Sequence, residues 1–92
     1  MDAGEKQGVI VTKPFKLLGS ELFVNVDALK GELLVDILGE DKNVLAASTP
    51  MKGDLARGEV KWQKGNIAAL RGKAVSLRFT LRGASLYSYW LQ

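Results

Sequence analysis

The sequence predicts a small all-β domain, an antiparallel β-sandwich of the jelly-roll-like type with about seven strands. Three observations support this fold class. Apolar and polar residues alternate strictly from Val75 to Arg82, which is typical of a half-buried antiparallel strand. Glycine accounts for 10 of the 92 residues and separates short apolar segments. The segment 32–48 has the pattern of two strands around a polar turn at 39–43.

The predicted strands follow one another with short connections. A first strand at 9–13 meets Pro14, which suits an edge strand. An irregular segment is predicted at 49–58, and Asn66 has the side chain of an N-cap for one helical turn ending at Leu70. The other strands are predicted at residues 21–27, 32–38, 44–48, 59–63, 75–82 and 85–92. We expect one domain over residues 1–92, of which 1–7 form a disordered lead-in.

Alternation also assigns side chains to the two faces of the strands. The residues predicted to point inward are Leu22, Val24, Val26, Leu33, Val35, Ile37, Val75, Leu77, Phe79 and Leu81. In the last strand Tyr87 and Tyr89 share one face, and Trp90 lies on the other. We expect the tyrosines to face inward and Trp90 to face outward.

The composition argues against an enzyme. The chain contains neither histidine nor cysteine. These residues supply the commonest general base, the usual nucleophile-base pairs and the usual zinc ligands. No pair of carboxylates is placed by the sequence to flank a cleft, as glycosidase chemistry requires. We therefore expect no catalytic residue and no cofactor, with Asp54 and Glu59, or Asp27 and Asp36, as the candidates for a structural calcium ion.

Charge and hydropathy argue against two partners, nucleic acid and the membrane. Thirteen basic and 10 acidic residues interleave along the chain and give a net charge of +3. Nucleic-acid-binding proteins concentrate their basic charge on one face, so no nucleic-acid partner is expected. No apolar run approaches the ~20 residues of a membrane span. The polar start MDAGEKQG is not typical of a signal peptide.

Exposed aromatic residues beside planar polar groups would suit a sugar. An outward Trp90 would lie near Arg78 and Arg82 if the last two strands were neighbours, with Asn25 on the same sheet face. The ring would stack on the apolar side of a pyranose, and the guanidinium and amide groups would bind its hydroxyls. Alternatively, Arg78 stacks on Trp90 merely to cover the sheet, or Trp90 marks a contact with another domain.

The order of several blocks in the chain resembles a known family. The blocks are VNVDA at 24–28, GELLVDILGEDKNVL at 31–45, GD at 53–54, EVKWQKG at 59–65 and ALRGKAVSLRFTLRGASLYSYW at 69–90. Together they resemble the C-terminal β-sandwich domain of bacterial glycoside hydrolase-like proteins of the invertase and sialidase type. The resemblance covers residues from Gly19 onward, about three quarters of the chain. It implies an accessory domain beside a propeller-type catalytic domain, and it supports an outward Trp90.

The expected function is therefore that of a noncatalytic carbohydrate-binding module of a carbohydrate-active enzyme. It would bind a polysaccharide, such as a plant cell-wall glucan, through Trp90, Arg78, Arg82 and Asn25. The alternative is a structural or protein-interaction domain that packs against the catalytic domain of the same parent protein and has no glycan affinity. If the parent is a glycoside hydrolase, the protein is expected to be secreted or periplasmic.

Overall fold

The all-β class predicted from the sequence is confirmed. The computed structural model describes residues 7–92, and only the backbone of Gln7. The predicted lead-in at 1–7 lies outside the described residues except for Gln7, which begins the first strand. The described residues form eight strands and one 3₁₀ helix, Ile67–Leu70. The strands are β1 (Gln7–Val11), β2 (Phe15–Lys16), β3 (Leu22–Leu38), β4 (Val44–Ser48), β5 (Met51–Glu59), β6 (Trp62–Lys64), β7 (Ala74–Arg82) and β8 (Ser85–Leu91).

The long strand β3 is the centre of the sheet. Along one of its edges, residues 32–38 pair with β7 and residues 22–27 pair with β8. Along the other edge β3 pairs with β4 and then with β5. The sheet is extended by β1 and β2 beyond β7, and by β6 beyond β4. All these pairings are antiparallel, and β7 and β8 follow each other along one edge of β3 instead of pairing together.

An irregular segment at residues 29–32, which we call the bend, divides β3 into two halves. The register with β5 is irregular between Ala28 and Leu33. Before the bend the even-numbered positions such as Val24 are buried, and after it the odd-numbered positions such as Val35 are buried. Because side chains alternate strictly in a regular strand, only an irregular segment can switch which positions face inward. The bend thus lets both halves of one strand face the same core.

The result is a sandwich-like domain with two layers. We call β5, β8 and residues 22–28 of β3 the first layer, and β1, β2, β4, β6, β7 and residues 32–38 of β3 the second layer. One hydrophobic cluster contains buried side chains from both layers. The ring of Phe79 in the second layer lies 4.9 Å, between centroids, from the ring of Tyr89 in the first. All ten side chains predicted to point inward are buried, so that prediction is confirmed.

Gly31 allows the bend to lie against the joint between β7 and β8. A β-carbon added at Gly31 would lie only 1.7 Å from the carbonyl oxygen of Arg82 and 2.8 Å from that of Gly83. Both neighbours are backbone atoms, which a side-chain rotation cannot move away. Close approach of two backbones is one of the reasons for a glycine inside a strand, and here it fixes the position of the bend.

Ser48 supplies a hydrogen bond where the neighbour of β3 changes from β4 to β5. Along this edge of β3, β4 ends at Ser48 and β5 begins at Met51. The buried Ser48 Oγ accepts a hydrogen bond of 2.8 Å from the backbone N–H of Val35. A buried N–H without a partner would destabilise the fold, so the hydroxyl completes the hydrogen bonding of β3 at this point.

Two local predictions are confirmed by their hydrogen bonds. In the turn between β3 and β4, the N–H of Gly39 donates to the carbonyl of Asn43 at 2.9 Å. The side-chain oxygen of Asn66 accepts from the N–H of Ala68 at 2.9 Å, so Asn66 is the N-cap of the 3₁₀ helix. Both features depend on interactions within a few residues, which is why the sequence pattern is sufficient to locate them.

The prediction of an irregular segment at 49–58 is wrong, because most of it belongs to β5. The register against β3 shifts between the pairs Val24–Gly58 and Val26–Leu55. Gly53 has a φ of 94°, outside the usual range of a strand. Glycines and register shifts interrupt the alternation that identifies a strand. The strand predicted at 59–63 is only partly found: Glu59 ends β5, residues 60–61 lie in no strand, and β6 begins at Trp62.

Candidate functional site

The orientation predicted for the last strand is wrong at Tyr87. Against β3, Asn25 pairs with Ser88 and Val26 pairs with Leu86, so Tyr87 is an extra residue in a bulge. Leu86 is buried, whereas Tyr87 is 63% exposed. Tyr89 contacts the core ring of Phe79 and is 41% exposed at the margin of the core. The bulge shifts the alternation by one residue, and nothing in the sequence marks its position.

Trp90 lies on the outer face of the first layer, where it stacks on a neighbouring aromatic ring. It pairs in register with Phe23 of β3. The two rings are 5.9 Å apart between centroids, with an interplanar angle of 16°. This geometry is typical of offset stacking, which adds about 0.5–1.5 kcal/mol to the burial of the rings. Trp90 is half-buried, and its predicted outward orientation agrees with the structure.

An arginine completes this arrangement from the other neighbouring strand. The guanidinium carbon of Arg57 in β5 lies 4.9 Å from the centroid of the Phe23 ring. An Arg57 nitrogen donates a hydrogen bond of 3.2 Å to the side-chain oxygen of Gln92. The stacked guanidinium is thereby held by a cation–π contact and a hydrogen bond. We call Phe23, Arg57 and Trp90 the aromatic face.

Asn25 is the one other predicted site residue that the fold places beside Trp90. It lies two positions after Phe23 on β3, hence on the same side of the strand, and it pairs with Ser88. Asn25 is half-buried and Ser88 is exposed. An amide and a hydroxyl therefore adjoin the aromatic face, and both groups can donate and accept hydrogen bonds.

Arg78 and Arg82 lie elsewhere, which corrects the predicted grouping of site residues. Arg78 pairs in register with Asp36, near the opposite end of β3 from Trp90. Two of its nitrogens, Nε and Nη2, donate to Asp36 Oδ2 at 3.0 and 2.8 Å. Arg82 pairs with Glu32 beside the bend. The prediction assumed that β8 lies next to β7, whereas both strands pair with β3 one after the other.

Arg57 is the residue that the sequence prediction missed. Met51 and Leu55 share the inward side of β5, and continued alternation would place Arg57 inward as well. The register shift after Leu55 instead brings Gly58 opposite Val24 and leaves Arg57 exposed. The weak alternation from Met51 to Leu55 could have identified the strand, but it could not have placed Arg57.

A second surface feature is an open cleft at the bend of β3. It has a volume of about 900 Å³. Its walls come from the bend, from the start of β5 and from the joint between β7 and β8. The charged residues that line it are Asp27, Lys30, Glu32, Lys52 and Arg82. We call this feature the corner cleft.

The structure offers little support for a metal centre. Asp27 pairs in register with Asp54 across β3 and β5. Among residues 7–92, however, no three acidic side chains come together in a way that could hold a metal ion. The same part of the chain contains no helix long and apolar enough to cross a membrane.

Comparisons with family models, with curated proteins and with solved structures found no match. The resemblance to accessory domains of glycoside hydrolase-like proteins therefore rests on the order of the sequence blocks alone. Any functional conclusion has to be drawn from the aromatic face and from the corner cleft themselves.

Proposed function

We propose that the protein is a noncatalytic accessory module that binds a polysaccharide on the outer face of its first layer. The observation that carries this proposal is the stack of Trp90 on Phe23, with Arg57 over the same Phe23 ring. A preformed group of planar side chains on a sheet binds a ligand with little loss of conformational entropy. The apolar side of a pyranose ring is a suitable partner for an indole at such a site.

Polar groups around the stack support a ligand that carries hydroxyls. Arg57 is exposed and makes no ion pair among the described residues. A guanidinium has five N–H donors, and the contact with Gln92 uses only part of them. Asn25 and Ser88 add further donors and acceptors beside Trp90. Ligand sites of this kind combine an apolar surface with a few polar groups that fix orientation.

One observation favours the alternative of a packing domain. Phe23 is only 7% exposed, because Trp90 and Arg57 contact its ring. Among the described residues, the aromatic side chain with the highest exposed fraction is instead Tyr87, on the same strand as Trp90. An exposed tyrosine beside a half-buried tryptophan is also typical of protein–protein interfaces. In this alternative the first layer docks on a catalytic domain of the same parent protein and has no glycan affinity.

Calorimetric titration of the whole chain with neutral oligosaccharides from β-glucan, xyloglucan, xylan, mannan, fructan and starch tests the proposal. We expect one class to bind, with affinity reduced at least tenfold, or about 1.4 kcal/mol, by Trp90→Ala. Trp90→Phe retains an aromatic ring and should retain part of the affinity. Arg78→Gln, in the second layer, should leave it unchanged.

Two results would contradict the proposal. If neither these oligosaccharides nor an acidic oligosaccharide binds, the outer face of the first layer is not a glycan site, and the packing alternative is favoured. If an oligosaccharide binds equally well to the wild type and to Trp90→Ala, with the fold retained by circular dichroism, the aromatic face is not the site.

A further inference from the structure

The corner cleft has a charge pattern that the aromatic face lacks. Lys30 of β3, Lys52 of β5 and Arg82 of β7 line it together with Asp27 and Glu32. The three basic side chains come from three separate strands, so the fold brings them together, whereas the sequence keeps them far apart.

The two lysines are available to a ligand. Lys30 and Lys52 are exposed, and neither forms an ion pair within residues 7–92. Arg78 and Lys61, by contrast, are each paired with a carboxylate, Asp36 and Glu59. An ammonium group that faces a cleft without an intramolecular partner favours an anionic ligand.

The floor and the acidic residues of the cleft narrow the ligand class. Ala28 and Ala84, which line the cleft, are buried and apolar. Asp27 Oδ1 accepts a hydrogen bond of 3.3 Å from the N–H of Leu29, and within residues 7–92 its Oδ2 accepts none. A carboxylate can accept hydrogen bonds from hydroxyl groups. A ligand with one anionic group and several hydroxyls would suit the cleft, because the anionic group can contact the lysines and the hydroxyls can donate to the carboxylates.

The cleft also continues the aromatic face along β3. Phe23, Asn25 and Asp27 occupy alternate positions on the same side of this strand. At ~3.3 Å per residue, the four steps from Phe23 to Asp27 span about 13 Å. Asp27 is the last of these three residues and also lines the corner cleft. The aromatic face and the cleft are therefore connected along one side of β3.

We propose that the corner cleft binds a carboxylate-bearing sugar, a uronate, in a polysaccharide whose neighbouring residues lie along the aromatic face. The inference rests on the proposed function and names its ligand class. The carboxylate contacts Lys30 and Lys52, and the sugar hydroxyls contact Asp27 and Glu32. Arg82 contributes positive charge to the wall of the cleft.

The test compares oligogalacturonides with the same oligomers after methyl esterification, which removes the charge and keeps the sugar. We expect the acid form to bind more tightly to the wild type. The double variant Lys30→Gln/Lys52→Gln should bind the acid form about tenfold more weakly and the ester equally well. The control Lys16→Gln/Lys64→Gln, with the same change in net charge at residues outside the cleft, should behave like the wild type.

The outcomes separate this inference from the proposed function. Equal affinity for acid and ester, or equal losses in the two double variants, would overturn the uronate site. If a neutral oligosaccharide still binds in a Trp90-dependent manner, the proposed function holds even though the uronate site does not exist. Binding of the acid form that depends on the two cleft lysines but not on Trp90 supports the cleft and contradicts the aromatic face. Binding of dextran sulfate as tight as that of the uronate would show a general polyanion site and overturn the assignment to a carboxylate sugar.

Discussion

The two layers have similar inner faces and different outer faces. Inside, both present buried aliphatic side chains to one cluster. Outside, Arg78 of the second layer contacts Asp36 at 2.8 Å, so this cation has a carboxylate partner within the chain. The first layer places Arg57 on an aromatic ring, with no carboxylate partner within the described residues. The contrast lies in these two arginines: Arg78 is neutralised by a carboxylate of its own layer, whereas Arg57 remains able to bind a partner.

Under the proposed function, this difference separates a charge that is paired within the chain from a charge that is available to a ligand. An exposed ion pair contributes roughly 0–1 kcal/mol, and an exposed cation–π contact about 0.5–1 kcal/mol. Neither outer face is needed for a domain whose stability comes from the core and from the bend.

The largest effect is expected from Gly31→Ala. The new β-carbon would lie 1.7 Å from the carbonyl oxygen of Arg82, so the bend must move away from the β7–β8 joint. We expect loss of the cooperative urea transition. Gly53→Ala is the control, because its β-carbon meets nothing within 4 Å and only the φ of 94° is unfavourable. That variant should lose about 1 kcal/mol. Equal stability of the two variants would contradict the role of the close approach.

Phe79→Ala removes the contact between the layers. Phe79 is fully buried, and its ring lies 4.9 Å from that of Tyr89 across the core. A cavity of this size should lower the free energy of unfolding by about 3–5 kcal/mol. The exposed Tyr87 is the matched aromatic control, and Tyr87→Ala should change it by less than about 0.5 kcal/mol. A loss below 1 kcal/mol for Phe79→Ala, measured by urea unfolding, would show that Phe79 does not join the layers.

Ser48→Ala tests the place where β3 changes partner. The substitution leaves the buried N–H of Val35 without its 2.8 Å hydrogen bond. We expect a loss of about 1–3 kcal/mol in unfolding free energy and faster amide hydrogen exchange at Val35. Ser88→Ala removes an exposed hydroxyl and should be nearly neutral. Unchanged exchange at Val35 would mean that another acceptor replaces the hydroxyl.

The sequence was sufficient for the inner faces and insufficient for the site. Residues such as Val24, Val35 and Phe79 follow from alternation, which is a local property of each strand. The position of Trp90 relative to the arginines depends on how strands pair. Two strands joined by a short Gly-Ala segment commonly form a hairpin, yet here both continue along a bent β3. Such a course depends on tertiary packing, as do the bulge at Tyr87 and the exposure of Arg57.

The smallest effects on stability come from a matched pair of substitutions, one on each outer face. Arg57→Gln and Arg78→Gln remove the same charge and shorten the side chain alike. Each should cost at most about 1 kcal/mol, because both contacts are partly exposed. Their effects on binding should differ. We expect Arg57→Gln to lower the affinity for an oligosaccharide bound at the aromatic face about tenfold, because the site loses a charged hydrogen-bond donor. Arg78→Gln should leave that affinity unchanged, and an equal loss in both variants would contradict the division of roles between the layers.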